Sequence, residues 1–349
     1  MTILVTGSSG LIGSEAVRHF FRLGARVHGI DNNLRRDFFG ADGDTSDVLD
    51  QLVADCPGFV HHDIDIRDRK RLFRLFRRTP FDLIVHCAAQ PSHDLAARRP
   101  FTDFSVNAVG TLNLLEAARR WSPHATFAFM STNKVYGDAP NERPLVQLET
   151  RYDYARPEDR DGIDESCRID ATQHSLFGVS KAAADLLVQE YGRYFNLNTV
   201  CFRAGCLTGP SHRGAKLHGF LAYLIRCARR RETYTVIGFN GRQVRDQIHA
   251  ADVCRAIEAF HAHPKCGAVY NLGGGRDNSV SVREAIHRTQ DMLGIKMHTD
   301  YDSRPRRGDH ICYISNTARF RNDFRDWKIE RGLDDIFAEM IAADHVPAA

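Results

Sequence analysis

The chain has 349 residues, 43% of them hydrophobic and 26% charged, with a formal net charge of +3. That length suits one nucleotide-binding core with a smaller partner domain, and charges of such even balance give no support to a nucleic-acid or membrane partner. Nine cysteines, scattered singly without a C-x-x-C pair, exclude a disulfide framework and any metal site of paired thiolates; no apolar run approaches membrane-spanning length.

Thr2 to Val5 is a short apolar run that reads as a buried strand. It breaks at once into Gly7, Ser8, Ser9, Gly10, Leu11, Ile12, Gly13 before an amphipathic segment through Phe21, and Ala25 to Ile30 then reads as a second strand ending on Asp31 and Asn32. A G-x-x-G-x-x-G loop between a strand and a helix lets the backbone approach a pyrophosphate, with the helix amino terminus facing the anion. Asp31 falls where a carboxylate accepts hydrogen bonds from an adenosine ribose and repels a 2′-phosphate, so NAD is the expected cofactor; Arg35 and Arg36 keep NADP open. A strand that begins this close to Met1 leaves no room for a signal peptide, and a cytoplasmic protein is expected.

Residues 32–57 form a long connection with a helix near Asp47 to Ala54, expected to lie over the cofactor or substrate. Phe59 to His62 and Phe81 to Cys87 read as strands; the first leads to Asp65 and Ile66, the second to Ala88, Ala89 and Gln90, where small residues let the backbone pass close to a cofactor. Phe101 to Ala118 is an amphipathic helix carrying Asn107, and Ala125 to Met130 is a strand leading into Ser131, Thr132, Asn133, Lys134. Residues 139–170 are polar and look substrate-facing; Gln173 to Phe195 is a long helix. Alternating strands and helices predict an α/β fold, a Rossmann-like doubly wound parallel sheet. Beyond Asn196 the elements shorten. Residues 1–195 are assigned mainly to the dinucleotide-binding domain, with last strands from about 197–204 and 234–260, and residues 205–349 mainly to a smaller carboxy-terminal α/β substrate domain.

These motifs resemble the extended short-chain dehydrogenase/reductases, the NAD-dependent epimerase/dehydratase family. Thr6-Gly7 with Gly10 and Gly13 matches its opening loop, Asp65-Ile66 its adenine-reading pair, and Asn107, Gly110, Thr111 its N-x-x-G-T helix, although Asn107 can equally bond a neighbouring loop. The family's catalytic parts are a Ser/Thr at the strand end and Y-x-x-x-K on a helix, whose lysine lowers the phenol's pKa and holds the nicotinamide ribose. Thr132 and Lys181 match; the tyrosine position is Phe177, which cannot take a proton. A substitute base from Lys134, Glu165, His174, Tyr136 or Cys206, proton transfer through water, and loss of catalysis all remain open.

Within that family the run Ser131 to Asp138, Glu149 to Tyr152, Gly162 to Ser166 and Ser180 to Asp185 resembles the branch that epimerises CDP-sugars at C2 through a transient keto sugar. The dehydratase branch carries Asp-Glu after the threonine, where this chain has Asn133 and Lys134. The resemblance further implies that Arg245 and Arg306 pair with the substrate diphosphate, and that Gln90, Asn133, Cys206 and Tyr234 lie on the substrate side. It also implies a homodimer, through the helices Phe101 to Ala118 and Gln173 to Phe195. Another keto-sugar reaction, such as 4-epimerisation or dehydration, and a silent NAD or nucleotide-sugar binding protein are the alternatives.

Overall fold

The structure is a computed structural model, and it describes residues 1–212, 214, 219–304 and 308–343. Its centre is a seven-stranded sheet in which every neighbouring pair is parallel. The strands are β1 (Thr2–Thr6), β2 (Arg26–Ile30), β3 (Val60–His62), β4 (Leu83–His86), β5 (Thr126–Thr132), β8 (Thr199–Ala204) and β12 (Ala268–Leu272), counting the two-stranded hairpin β6 (Leu145–Gln147) and β7 (Tyr152–Tyr154), with β9 (Cys206–Thr208), β10 (Tyr234–Ile237) and β11 (Val244–His249), in chain order. Across the sheet the order is β12-β8-β5-β4-β1-β2-β3, so the chain reverses direction of growth beside β1, where β4 joins it on the side opposite β2. In such sheets ligands bind at the carboxyl ends of the strands, in the crevice opened by that reversal.

The pleat of β1 shows why these strands read as continuous apolar runs. Ile3 and Val5 point into one core with Val17, Phe20, Ile257 and Phe260, while Leu4 points into a second with Leu114, Leu115 and Val188. Both faces are therefore covered by helices, as all-parallel sheets require. The long helix Leu176–Phe195 opens on Ser175, whose hydroxyl accepts the Gly178 N–H, two residues later than the sequence pattern suggests. The helix over Asn107 is continuous but not uniform: Pro100–Phe104 runs through one π turn, Ser105–Val109, into Gly110–Trp121.

One strand assignment is corrected. Tyr234–Ile237 does not join the main sheet; it pairs in parallel with β14 (Thr299–Asp302), and the sheet closes instead on Ala268–Leu272. A separate apolar cluster gathers the helices Phe220–Arg230, Val282–Leu293 and Leu333–Ala343 around Leu224, Ile286 and Phe337. Val244–His249 links this part to the rest, pairing with β9, with β13 (Ser279–Ser281) and with β15 (Cys312–Tyr313).

Candidate functional site

A groove of about 500 Å³ runs across the carboxyl ends of the main-sheet strands, and most of the residues singled out in the sequence line it. At one end is the glycine loop. Gly7 N–H and Ser8 N–H both donate to the Ile30 carbonyl, which ties the loop to β2. Gly7 has φ +67°, and a Cβ there would stand 2.8 Å from the Ala88 nitrogen; a Cβ on Gly13 would stand 1.9 Å from the Gly7 carbonyl oxygen. Only glycine lets loop, helix and β4 pack this closely. Gly10 caps the helix Leu11–Arg22 without a side-chain hydrogen bond, and no acidic residue occupies its first turn. First-turn amides and the positive end of the helix are thereby left for an anion. Asp31 accepts the Ser9 N–H at 2.9 Å through one oxygen and the Asn33 N–H at 2.8 Å through the other, holding its carboxylate at the end of β2. Asn32, Asp65, Ile66, Ala88 and Ala89 line the same stretch. Asp65 is also bound by Asn32 at 3.3 Å and by Arg67. These residues fit a dinucleotide.

The middle of the groove is the end of β5 and the start of the helix Leu176–Phe195. Ser131 donates to Asp185 at 2.5 Å, and Asp185 in turn holds the buried Arg203 at 2.8 Å. Thr132 accepts the Lys134 N–H at 3.2 Å and so opens the short turn Asn133–Tyr136. Lys181 donates to the Met130 carbonyl at 2.7 Å and stands 4.1 Å over the Phe129 ring; burial brings its ammonium down to about 8. Phe177, buried, lies one helical turn before Lys181 with its ring packed 5.0 Å from that of His93.

The far side is built on charge. Asp309 accepts from Lys134 at 3.1 Å and from Arg245 at 2.6 Å, so two cations share one carboxylate and one positive charge is left over. Burial would raise the Asp309 carboxyl, but Arg245 and then Lys134 outweigh it and hold it well below the ordinary carboxylate range. Burial lowers the Lys134 ammonium and raises the Cys206 thiol to about 11, so Cys206 stays protonated near neutrality. Asn133, Cys206 and Tyr234 line this part.

Three predicted site residues do not line the groove. Glu165 accepts the Asn271 N–H at 2.6 Å and braces the β12 end, so it is no base for a bound sugar. Gln90 is buried, bonding Ser92 and Asp103, and Asn107 clasps the Gln90 backbone from both sides while bonding Ser180 at 3.0 Å; each is structural here, Asn107 in the loop-bonding role the sequence left open. Of the other proposed bases, Tyr136 is fully buried against Asn271 and Arg203, and both His174 ring nitrogens face backbone carbonyls. Arg306 lies outside the described residues. The sequence reading missed His93, which lines the groove beside Phe177; the available signal was its place just after the Ala-Ala run, past the carboxyl end of a parallel strand. Among the described residues no group of three or more His, Cys, Asp or Glu is placed to hold a metal, and no helix is long and apolar enough to cross a membrane.

Fold and groove together point to a dinucleotide-binding enzyme whose groove has a charged far side. The sequence pattern of the NAD dependent epimerase/dehydratase family matches residues 3–273, and the chain belongs to that family. It is 31% identical over 335 residues to the CDP-paratose 2-epimerase of Salmonella typhi, covering 94% of each chain. It is 29% identical to the dTDP-glucose 4,6-dehydratase of Neisseria meningitidis, covering 92% of this chain and 87% of that one. Among solved structures, the Thermus thermophilus UDP-glucose 4-epimerase complex with NAD superposes with a TM-score of 0.78 over 98% of both chains at 24% identity, a likeness of fold.

Proposed function

We propose that this chain is an NAD-dependent nucleotide-sugar epimerase that works through a transient keto sugar, with a CDP-sugar inverted at C2 as the substrate class. The observation that carries the reading is the pair Asn133 and Lys134 behind Thr132 at the end of β5, in the same groove as the glycine loop. A dehydratase needs an acid and a base there to move water along the sugar; an amide and an ammonium suit a sugar that is oxidised and reduced at one carbon. Similarity to the Salmonella CDP-paratose 2-epimerase over nearly the whole chain supports the same substrate class.

The residues divide the work. Gly7 to Gly13 and Asp31 hold the dinucleotide, which when bound supplies the acceptor and donor of hydride; Lys181, at the groove wall, is placed for its nicotinamide ribose. Arg245, with a planar guanidinium 11% exposed, faces the diphosphate, and Lys134 adds a second positive charge beside it. Thr132 offers a hydroxyl to the reacting oxygen. Residues 1–195 with β8, β12 and the helix Ala250–Ala262 form the cofactor side, and the helices around Leu224, Ile286 and Phe337 the substrate side, a division supported by the separate apolar clusters. A homodimer is supported by Phe101, 90% exposed, with Phe104 and Val109 on one helical run and Leu176, Val179 and Leu186 on the helix beside it, an apolar patch left in water. Nine free cysteines suit a reducing cytoplasm.

The test is to incubate purified protein and NAD with CDP-, UDP- and dTDP-sugars in deuterated water and follow products by NMR. Inversion at one carbon without net redox supports the reading. Loss of water from the sugar overturns it in favour of dehydration, and binding without turnover in favour of the silent binding protein that Phe177 suggests.

A further inference from the structure

Proton transfer is the missing part of this site, because the residue one turn before Lys181 is a phenylalanine. The groove itself narrows the choice of substitute. Cys206 is held as a thiol by burial, and Lys134 already gives hydrogen bonds to Asp309 at 3.1 Å and to the Gly308 carbonyl at 3.2 Å. As a neutral amine Lys134 would keep two N–H donors for these partners, but it would lose the charge that, with Arg245, holds the Asp309 carboxylate. His212 also lines the groove, but it stands beside Arg35 and Gly219, on the side of the residues that follow Asp31, and burial lowers its pKa to about 3.

We propose that His93 is the proton-transfer residue of this enzyme, taking the place that a phenol on the Phe177 ring would fill. Its imidazole lines the groove and packs against the Phe177 ring at 5.0 Å with the planes inclined by 58°. The inference rests on the epimerase reading. An imidazole has a lone pair that can take a proton and an N–H that can return one, so it does not need the lysine that a phenol needs.

The fold holds His93 in place with unusual care. Ser92, just before it, gives its N–H to the Gln90 side-chain oxygen at 2.6 Å, and the Gln90 amide donates back to the Ser92 carbonyl at 2.9 Å and to Asp103 at 2.7 Å. Asn107 accepts the Gln90 N–H at 2.9 Å and donates to the Gln90 carbonyl at 3.1 Å, while reaching Ser180 on the helix that carries Phe177 and Lys181. Asn107 sits in the π turn Ser105–Val109, the kind of local widening that recurs at functional sites. Gln90 and Asn107 are thus positioning residues for His93, because the network ties the chain just before it to the helix of Phe177.

In the step, an imidazole nitrogen would accept the proton of the sugar hydroxyl, and a dinucleotide held by Gly7 to Gly13 and Asp31 would supply the acceptor for the hydride that leaves with the C–H electron pair. The imidazolium would then return its proton to the oxygen when hydride is given back at the other face of the carbonyl carbon, so that sugar, cofactor and His93 end in their starting charge states.

The test uses the full chain loaded with NAD and whichever nucleotide sugar the wild type turns over. If the wild type turns over none, the epimerase reading fails, and the inference with it, before any variant is made. With an active wild type, His93→Ala should lower kcat by about 10²- to 10⁴-fold while KM and NAD affinity by calorimetry change little, and added imidazole should recover part of the rate. Lys134→Met should act mainly on KM. In the unmutated protein, carbethoxylation of His93 by diethyl pyrocarbonate, located by peptide mass spectrometry, should slow when the sugar is saturating; this arm is independent of how the variant folds. Full activity in His93→Ala, a loss that imidazole does not relieve, or equal modification with and without sugar would each overturn the inference and leave the epimerase reading standing.

Discussion

Asp309→Asn deletes the charge on which Lys134 and Arg245 converge. Lys134, Arg245 and Asp309 are 13%, 11% and 28% exposed, so the cluster lies between a surface pair and a buried one. Exposed pairs contribute about 0–1 kcal/mol, and breaking a buried pair costs about 3–5 kcal/mol. The part-exposed carboxylate places the loss at about 2–4 kcal/mol, since two cations are left facing each other. At about 2–4 °C per kcal/mol, Tm near neutrality should fall by roughly 4–16 °C in a thermal scan. The sign of the pH dependence follows from the lowered pKa. Asp309 is held below its unfolded value, about 3.9, so its stabilisation is fully present above that pH and is lost as pH falls toward the folded value. The gap between wild type and variant should therefore be widest near neutrality and close in acid. The cations freed from the carboxylate should also bind CDP about tenfold more tightly, about 1.4 kcal/mol, by calorimetry. An unchanged Tm, or CDP bound more weakly than by the wild type, would refute the argument that this cluster is a diphosphate site held by its own carboxylate.

Phe177→Tyr should fold, because burying an unpaired hydroxyl costs roughly 1–3 kcal/mol and the groove offers it partners; turnover should stay level or fall. A rise of about two orders of magnitude would show that no substitute base operates. Asp31→Asn keeps an acceptor for the Ser9 N–H but removes the charge, so calorimetry should show NAD weakened and NADP gaining on it; a wild type that prefers NADP would end the ribose argument. Phe101→Asp with Leu176→Asp should turn a dimer into monomers by light scattering, and a wild-type monomer at micromolar concentration would remove the dimer.

What was legible in the sequence was local. The glycine loop, the acid at the end of β2 and Thr132 are each fixed by the turn or strand end they occupy, Lys181 by its place on a helix face, and all of them line one groove. What failed was tertiary. Glu165 is polar and adjacent to matched motifs, yet its hydrogen bond to Asn271 comes from a strand far along the chain. Gln90 follows Ala88 and Ala89 directly, but its side chain turns inward to Asp103 and Ser92, and no local pattern reveals that. Tyr234–Ile237 has strand composition; only its pairing with Thr299–Asp302 shows that it belongs outside the main sheet. His93 follows a proline and a serine in what reads as a loop, and its ring meets Phe177 only once the helix Leu176–Phe195 is folded against it.

The two functions that a tyrosine and lysine perform jointly in this family are separated in this chain. A lysine placed to depress a phenol must face it; Lys181 instead gives a hydrogen bond to the Met130 carbonyl and lies over Phe129, with burial alone bringing its ammonium down to about 8. No phenol stands at residue 177 to be depressed. The lysine is nevertheless buried at the groove wall, where its ammonium, bonded to the Met130 carbonyl, is available to a ligand in the groove. On the proposed reading that ligand is the nicotinamide ribose, and the buried polar network of Gln90 and Asn107 reaches the same helix at Ser180. On that reading, one helix would hold the cofactor through Lys181 while the segment packed against it carries His93. A phenylalanine between them then serves as the apolar surface against which the imidazole is set.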